Sequence, residues 1–179
     1  MTPVRLNPDE RGEVVWASRI DPVRARIENI PFAESGFHLG DIVLHDGAAV
    51  GHRVNNGHEY PVFNVLELFT RSVFNTCIVI ANVADPADFE VLDRIFSASK
   101  SQYENWTSNV RTLCRQCSEG KPHDSHDHDL SASWAAKHRL GVAMHPEDKL
   151  QTLLDEWCKQ SNASVKSIEE RTQGSASET

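Results

Sequence analysis

Two turn signals ten residues apart, Asp46-Gly47 and Asn56-Gly57, constrain this chain more than any other feature. Each favours a two-residue hairpin, because such turns need positive φ angles that Gly adopts freely and Asn or Asp at modest cost. The flanking segments are short and strand-like. "EVVWASRI" (13–20) and "RARIENI" (24–30) meet at the turn signal Asp21-Pro22, and in the second Ala25 and Ile27 alternate with Arg24, Arg26 and Glu28. That is the period of a half-buried strand. "DIVL" (41–44) and "AAVGHRV" (48–54) supply a third and a fourth strand, joined through Asp46-Gly47. Short strands with Gly turns at this spacing predict a small antiparallel N-terminal sheet or partial barrel. Residues 1–12, polar and Pro-containing, are expected to be a frayed N-terminus.

The pattern then changes. Val62, Val65, Leu66, Phe69 and Val73 recur at threes and fours, which predicts a helix over "PVFNVLELFTRSVF", although its β-branched and aromatic residues also suit a strand. "NTCIVIANV" is a continuous apolar run of strand length, as a buried central strand requires. Asp85-Pro86 opens a helix whose apolar face is Phe89, Leu92, Ile95 and Phe96. A second helical stretch runs from about Gln102 to Cys117 and ends by Gly120. "HRLGVAM" (138–144) reads as a strand, and a final helix after Pro146 carries Leu150, Leu153, Leu154 and Trp157. Residues 161–179, rich in Ser, Thr, Gln and Glu, read as a disordered tail. The expected fold class is α+β: one domain over 13–160, comprising the N-terminal sheet or partial barrel, a strand-helix unit, and a zinc-bound helical C-terminal part.

The segment Val15–Val43 contains Trp16, Asn29-Ile30-Pro31-Phe32, Gly36 and Gly40-Asp41-Ile42-Val43. It resembles an uncharacterised bacterial family known chiefly as a domain of unknown function, whose members share an early Trp, an Asn-Ile/Val-Pro-Phe phrase, a following Gly, and Gly-Asp-Ile/Val-Val. "CIVIANVADPADFEVLDRIF" is similar to that family's second half, a strand followed by a helix. The resemblance implies a small α+β domain and supplies no activity. The motif is best explained structurally: Asn29 and Pro31 end a strand, Phe32 packs, and Gly40-Asp41 turns into the next strand. Asp41 takes on functional interest if it is buried beside another titratable group.

The family pattern does not include "CRQCSEGKPHDSHDHD" (114–129), and there the chain's chemistry concentrates. Zinc takes thiolate and imidazole donors in tetrahedral sets. Cys114 and Cys117, at i and i+3, can aim two sulfurs at one point; Gly120 allows the backbone to return; His123 and His126 complete a four-donor set. His128 can replace either histidine, so four of these five residues are the expected ligands. Asp124, Asp127 and Asp129 suit the outer role of accepting the free imidazole N–H groups. The competing reading is a solvated His/Asp loop beside two ordinary cysteines. Four donors close together favour a closed structural site, because a catalytic zinc keeps one position open for water. The base-deaminase pattern of His-x-Glu before Pro-Cys-x-x-Cys is absent, as are phosphate-cradling Gly loops and a Gly-x-Ser-x-Gly elbow.

The remaining signals are weaker. The other two of the four cysteines differ: Cys77 reads as a small core residue and Cys158 as a helix residue. His38, His45, His52 and His58 read as scattered surface histidines, and Trp106, Trp134 and Trp157 as packing for C-terminal helices. A net charge of −8 disfavours nucleic acid. No run approaches the roughly 20 apolar residues of a membrane span, and no hydrophobic signal core opens the chain. A cytoplasmic location is expected, where a Cys-x-x-Cys more often binds metal than forms a structural disulfide. The expected function is a cytoplasmic binding or regulatory module with structural Zn2+, acting through protein contacts. A small zinc-dependent hydrolase is the alternative, and a nucleic-acid-binding zinc protein is disfavoured.

Overall fold

The computed structural model describes residues 1–9, 12–55, 57–109 and 136–170. Five strands close into a barrel: β1 (Thr2–Leu6), β2 (Glu13–Arg19), β3 (Arg24–Ile27), β4 (Ile42–Asn55) and β5 (His58–Thr70). Successive strands pair antiparallel, and β1 closes on β5 in parallel, Val4 opposite Phe63. An odd number of strands in a simple meander makes the first and last run the same way. Val4, Leu6, Val15, Ala17, Ala25, Ile27, Val43 and Val65 fill the interior.

Among the described residues four strands and three helices follow: β6 (Asn75–Asn82), α1 (Ala87–Ser97), β7 (Gln102–Asn105), the short α2 (Trp106–Asn109), β8 (Lys137–Met144), α3 (Leu150–Gln160) and β9 (Ser164–Glu170). The sheet order β7-β8-β6-β9, with every described pair antiparallel, makes β6-α1-β7-β8-α3-β9 a split βαβ, or ferredoxin-like, unit. Val79, Ala81 and Leu140 face α1 and α3, where Leu92, Leu154 and Trp157 complete the core. The opposite sheet face buries Ile78 and Ala143 against Ile30, Leu39 and Trp106. Burial on both faces explains the unbroken apolar run of β6.

Several expectations are corrected. The helical, zinc-bound C-terminal part is instead a four-stranded antiparallel sheet with α1 and α3 on one face, and among the described residues no group of three or more Cys, His, Asp or Glu side chains is placed to hold a metal. "PVFNVLELFTRSVF" belongs largely to β5, and the stretch expected to be helical from Gln102 begins as β7. The N-terminus is not frayed: Val4 and Leu6 are fully buried in β1. The supposed tail contains β9.

Asp46-Gly47 does not turn a hairpin. From His45↔Val65 to Ala49↔Phe63, β4 advances four residues while β5 advances two, so the segment bulges within one continuous strand. Gly47, at φ +71°, takes the left-handed conformation the bulge needs. The hairpin forms at the second signal, with Asn55 opposite His58.

Candidate functional site

The family-like motif sits between barrel and sheet. Asn29 accepts the Trp16 N–H at 2.8 Å, which fixes the exit from β3 against β2. Its amide donates at 3.2 Å to Glu104 on β7, and the same carboxylate oxygen accepts the Ile30 N–H at 3.0 Å. Glu13 on β2 accepts the Phe32 N–H through both oxygens, at 3.0 and 3.1 Å. One turn, residues 29–32, is therefore gripped by a carboxylate from each unit. Phe32 meets Trp106 edge to face at 5.0 Å, and the Arg139 guanidinium lies 5.0 Å from the Trp106 ring and 5.9 Å from Phe32. Arg139 also pairs with Glu34 at 3.3 Å. Burial drives the Glu13 carboxyl up to about 7; the Phe32 N–H opposes the rise, and Glu104 and Glu34 add to it. The folded protein thus holds this proton more tightly than the unfolded chain. The stabilisation it gives is complete below pH 4.5 and is lost as pH rises through 7.

A second set of polar groups locks the Gly-Asp phrase. Asp41 is fully buried; it pairs with Arg71 at 2.6 Å and accepts N–H groups from Ser72 at 2.8 Å and His38 at 2.9 Å. Arg71 also donates to the Gly36 carbonyl at 2.9 Å. These contacts tie the 36–41 turn to the link between β5 and β6. His38 is buried, and its Nδ1 lies 2.9 Å from the Thr76 hydroxyl. Burial lowers its pKa, and the Arg71 charge lowers it further. Asp41 does lie beside titratable groups, but its oxygens are occupied by structural donors.

The surface at the β2–β3 turn is different. Arg19, Ile20, Asp21, Pro22, Val23, Asp46 and Gly47 line a shallow cleft of about 530 Å³. Asp21 shapes one wall: its oxygens take the Val23 and Arg24 N–H groups and the Arg24 guanidinium, the last at 2.6 Å. Arg24 in turn lies over the Phe69 ring at 5.1 Å. Beneath the cleft His45 is 1% exposed; its N–H donates to the Val23 carbonyl and its Nδ1 accepts the Gly47 N–H at 3.2 Å. Nε2 then carries the proton, and burial, followed by the Arg19 charge, lowers the pKa.

Cys114, Cys117, His123, His126 and His128, with Asp124, Asp127 and Asp129, lie outside the described residues, as does Trp134. Their segment joins α2 to β8. Cys77 is buried in β6, and Cys158 is half-buried on α3. His38 and His45 prove buried, whereas His52 and His58 are exposed. Trp157, on α3, packs against α1 and the sheet and donates its indole N–H to the Asp88 carbonyl, but Trp106 covers the other face of the sheet. Sequence reasoning did not single out Glu13, Glu104 or Arg71. An acid that opens a strand and another between Tyr103 and Asn105 carry no local pattern; only the tertiary fold brings them to one turn.

No protein-family model matches the chain, and no curated protein does. The solved structure of a hypothetical protein from Neisseria gonorrhoeae is similar over 92% of this chain and 90% of its own, at 10% identity and a TM-score of 0.40. A likeness at that score carries no argument about fold or function. Among the described residues no helix is long and apolar enough to cross a membrane.

Proposed function

We propose that this chain is a cytoplasmic binding or regulatory module that acts through contact with another protein at the β2–β3 turn of its barrel. The supporting observation is an apolar group there. Ile20, Val23 and Phe69 are 45%, 49% and 51% exposed, and they are linked through the cleft wall and the Arg24–Phe69 contact. Isolated exposed apolar residues are ordinary, but apolar residues gathered on a braced surface and rimmed by charge favour a partner. Asp21 braces this one. With a photo-cross-linking residue at position 23 in the full chain, one partner should be trapped repeatedly in cells. Phe69→Glu should abolish trapping, and Val54→Glu, on the β4–β5 hairpin, should leave it intact. Equal trapping by all three proteins would remove this surface from consideration.

We further propose that the segment between α2 and β8 holds one structural zinc ion through four of Cys114, Cys117, His123, His126 and His128. The support is donor chemistry: two thiolates at i and i+3, with three imidazoles within the next eleven residues. Zinc would supply a cross-link among these side chains, and the site would take up metal as its thiols release protons. The purified full chain should carry about one zinc per molecule, and Cys114→Ser with Cys117→Ser should lose it. A metal-free chain whose melting temperature ignores chelator and added zinc would discard the proposal.

A further inference from the structure

Glu13 and Glu104 approach one turn from two separately built units. Glu13 belongs to the barrel and holds Phe32; Glu104 belongs to the sheet and holds Ile30 and Asn29. The turn is thereby tied on both sides, and Phe32 carries the tie to Trp106 at the start of α2. Two carboxylates act on Glu13 and oppose a second negative charge. Glu104 faces it from β7 and Glu34 from the 3-10 turn Ala33–Ser35. Of the arginines on neighbouring strands, Arg139 on β8 pairs with Glu34, whereas Arg5 on β1 donates to the neutral Pro8 carbonyl and keeps its charge. Arg53 from β4 donates to the neighbouring Val14 carbonyl.

We propose that Glu13 and Glu104 form a proton-operated latch between barrel and sheet, closed while Glu13 carries a proton and loosened when both carboxylates are ionised. On closing, the Glu13 carboxylate takes one proton from water; on loosening it returns that proton, and no other bond is made or broken. Ionisation strengthens the Phe32 N–H bond, as it does for any charged acceptor. Removal of the carboxylate from water and the nearby negative charges outweigh that gain, so the midpoint lies at about 7. The ionised side chain regains its hydration only by moving away from the turn.

The test uses the 15N-labelled full chain. The Phe32 and Ile30 amide resonances should titrate between pH 5.5 and 8.5 with a midpoint near 7. Over the same range, exchange protection of the 29–32 amides, corrected for intrinsic rates, should fall roughly tenfold. Glu13→Gln should remove both responses. Glu104→Gln keeps an acceptor for the Ile30 N–H but removes the repulsion, so the midpoint should shift to lower pH. A Phe32 resonance that does not titrate, or that titrates unchanged in Glu13→Gln, would overturn the latch. Titration without any pH-dependent loss of protection, or an unmoved midpoint in Glu104→Gln, would overturn it as well.

Discussion

Replacing Asp41 by Ala should cost about 3 to 5 kcal/mol of folding stability, a large fraction of what holds a domain of this size together. The cost does not come chiefly from the Arg71 charge. Arg71 is 37% exposed and can turn to water when its partner is removed. It comes from the two backbone donors that Asp41 satisfies, His38 N–H and Ser72 N–H, because a buried N–H without an acceptor costs roughly 1–3 kcal/mol. Loss of the anchor also loosens the 36–41 turn, which then keeps the Arg71–Gly36 and Ser72–Leu39 hydrogen bonds to the β5–β6 link but not the carboxylate between them. Urea unfolding should show a lower midpoint at unchanged slope. Arg71→Gln should be milder, since it leaves both amides paired. If Asp41→Ala proved as mild as Arg71→Gln, the carboxylate would be merely an ion-pair partner and this account of the Gly-Asp phrase would fail.

The parts of the fold that could be read from sequence are those where one local signal coincides with one face. Asp85 Oδ1 accepts the Ala87 N–H at 2.9 Å, and Leu92, Ile95 and Phe96 are buried as the helical spacing requires. In α3, Leu150, Leu154 and Trp157 form the buried stripe. Elsewhere tertiary structure rewrote the local signal. β5 looked helical because the register shifts in its pairing with β4 break strict alternation: Val62, Phe63 and Val65 are all buried. Asp46-Gly47 looked like a hairpin because a bulge demands the same positive φ as a turn. β9 looked like a tail because a strand at the end of a sheet needs few apolar residues; Val165 and Ile168 suffice. Of the candidate site, the motif residues could be named in advance, but their partners Glu13, Glu104 and Arg71 could not. Each lies far along the chain from what it holds, and a charged residue in a short strand is ordinarily solvated.

Gly141→Ala should be nearly as damaging as Asp41→Ala, at about 3 to 5 kcal/mol, although the change adds only a methyl group. Gly141 lies in the middle of β8 with an ordinary strand backbone, so no conformational strain is at issue. The indole of Trp106 occupies the space where a Cβ would stand. Trp106 is 4% exposed and packed against Phe32 and Arg139, so the ring cannot yield by a few tenths of an ångström; it must leave. The expected result is a lowered urea midpoint with tryptophan emission shifted to the red. Identity of mechanism can be checked by a double-mutant cycle. If the methyl group acts only by expelling the indole, Gly141→Ala should cost little more once Trp106 is already Ala. Full additivity would mean that Gly141 is needed for some other reason, and that Trp106 is not the side chain coupling the 29–32 turn to the sheet.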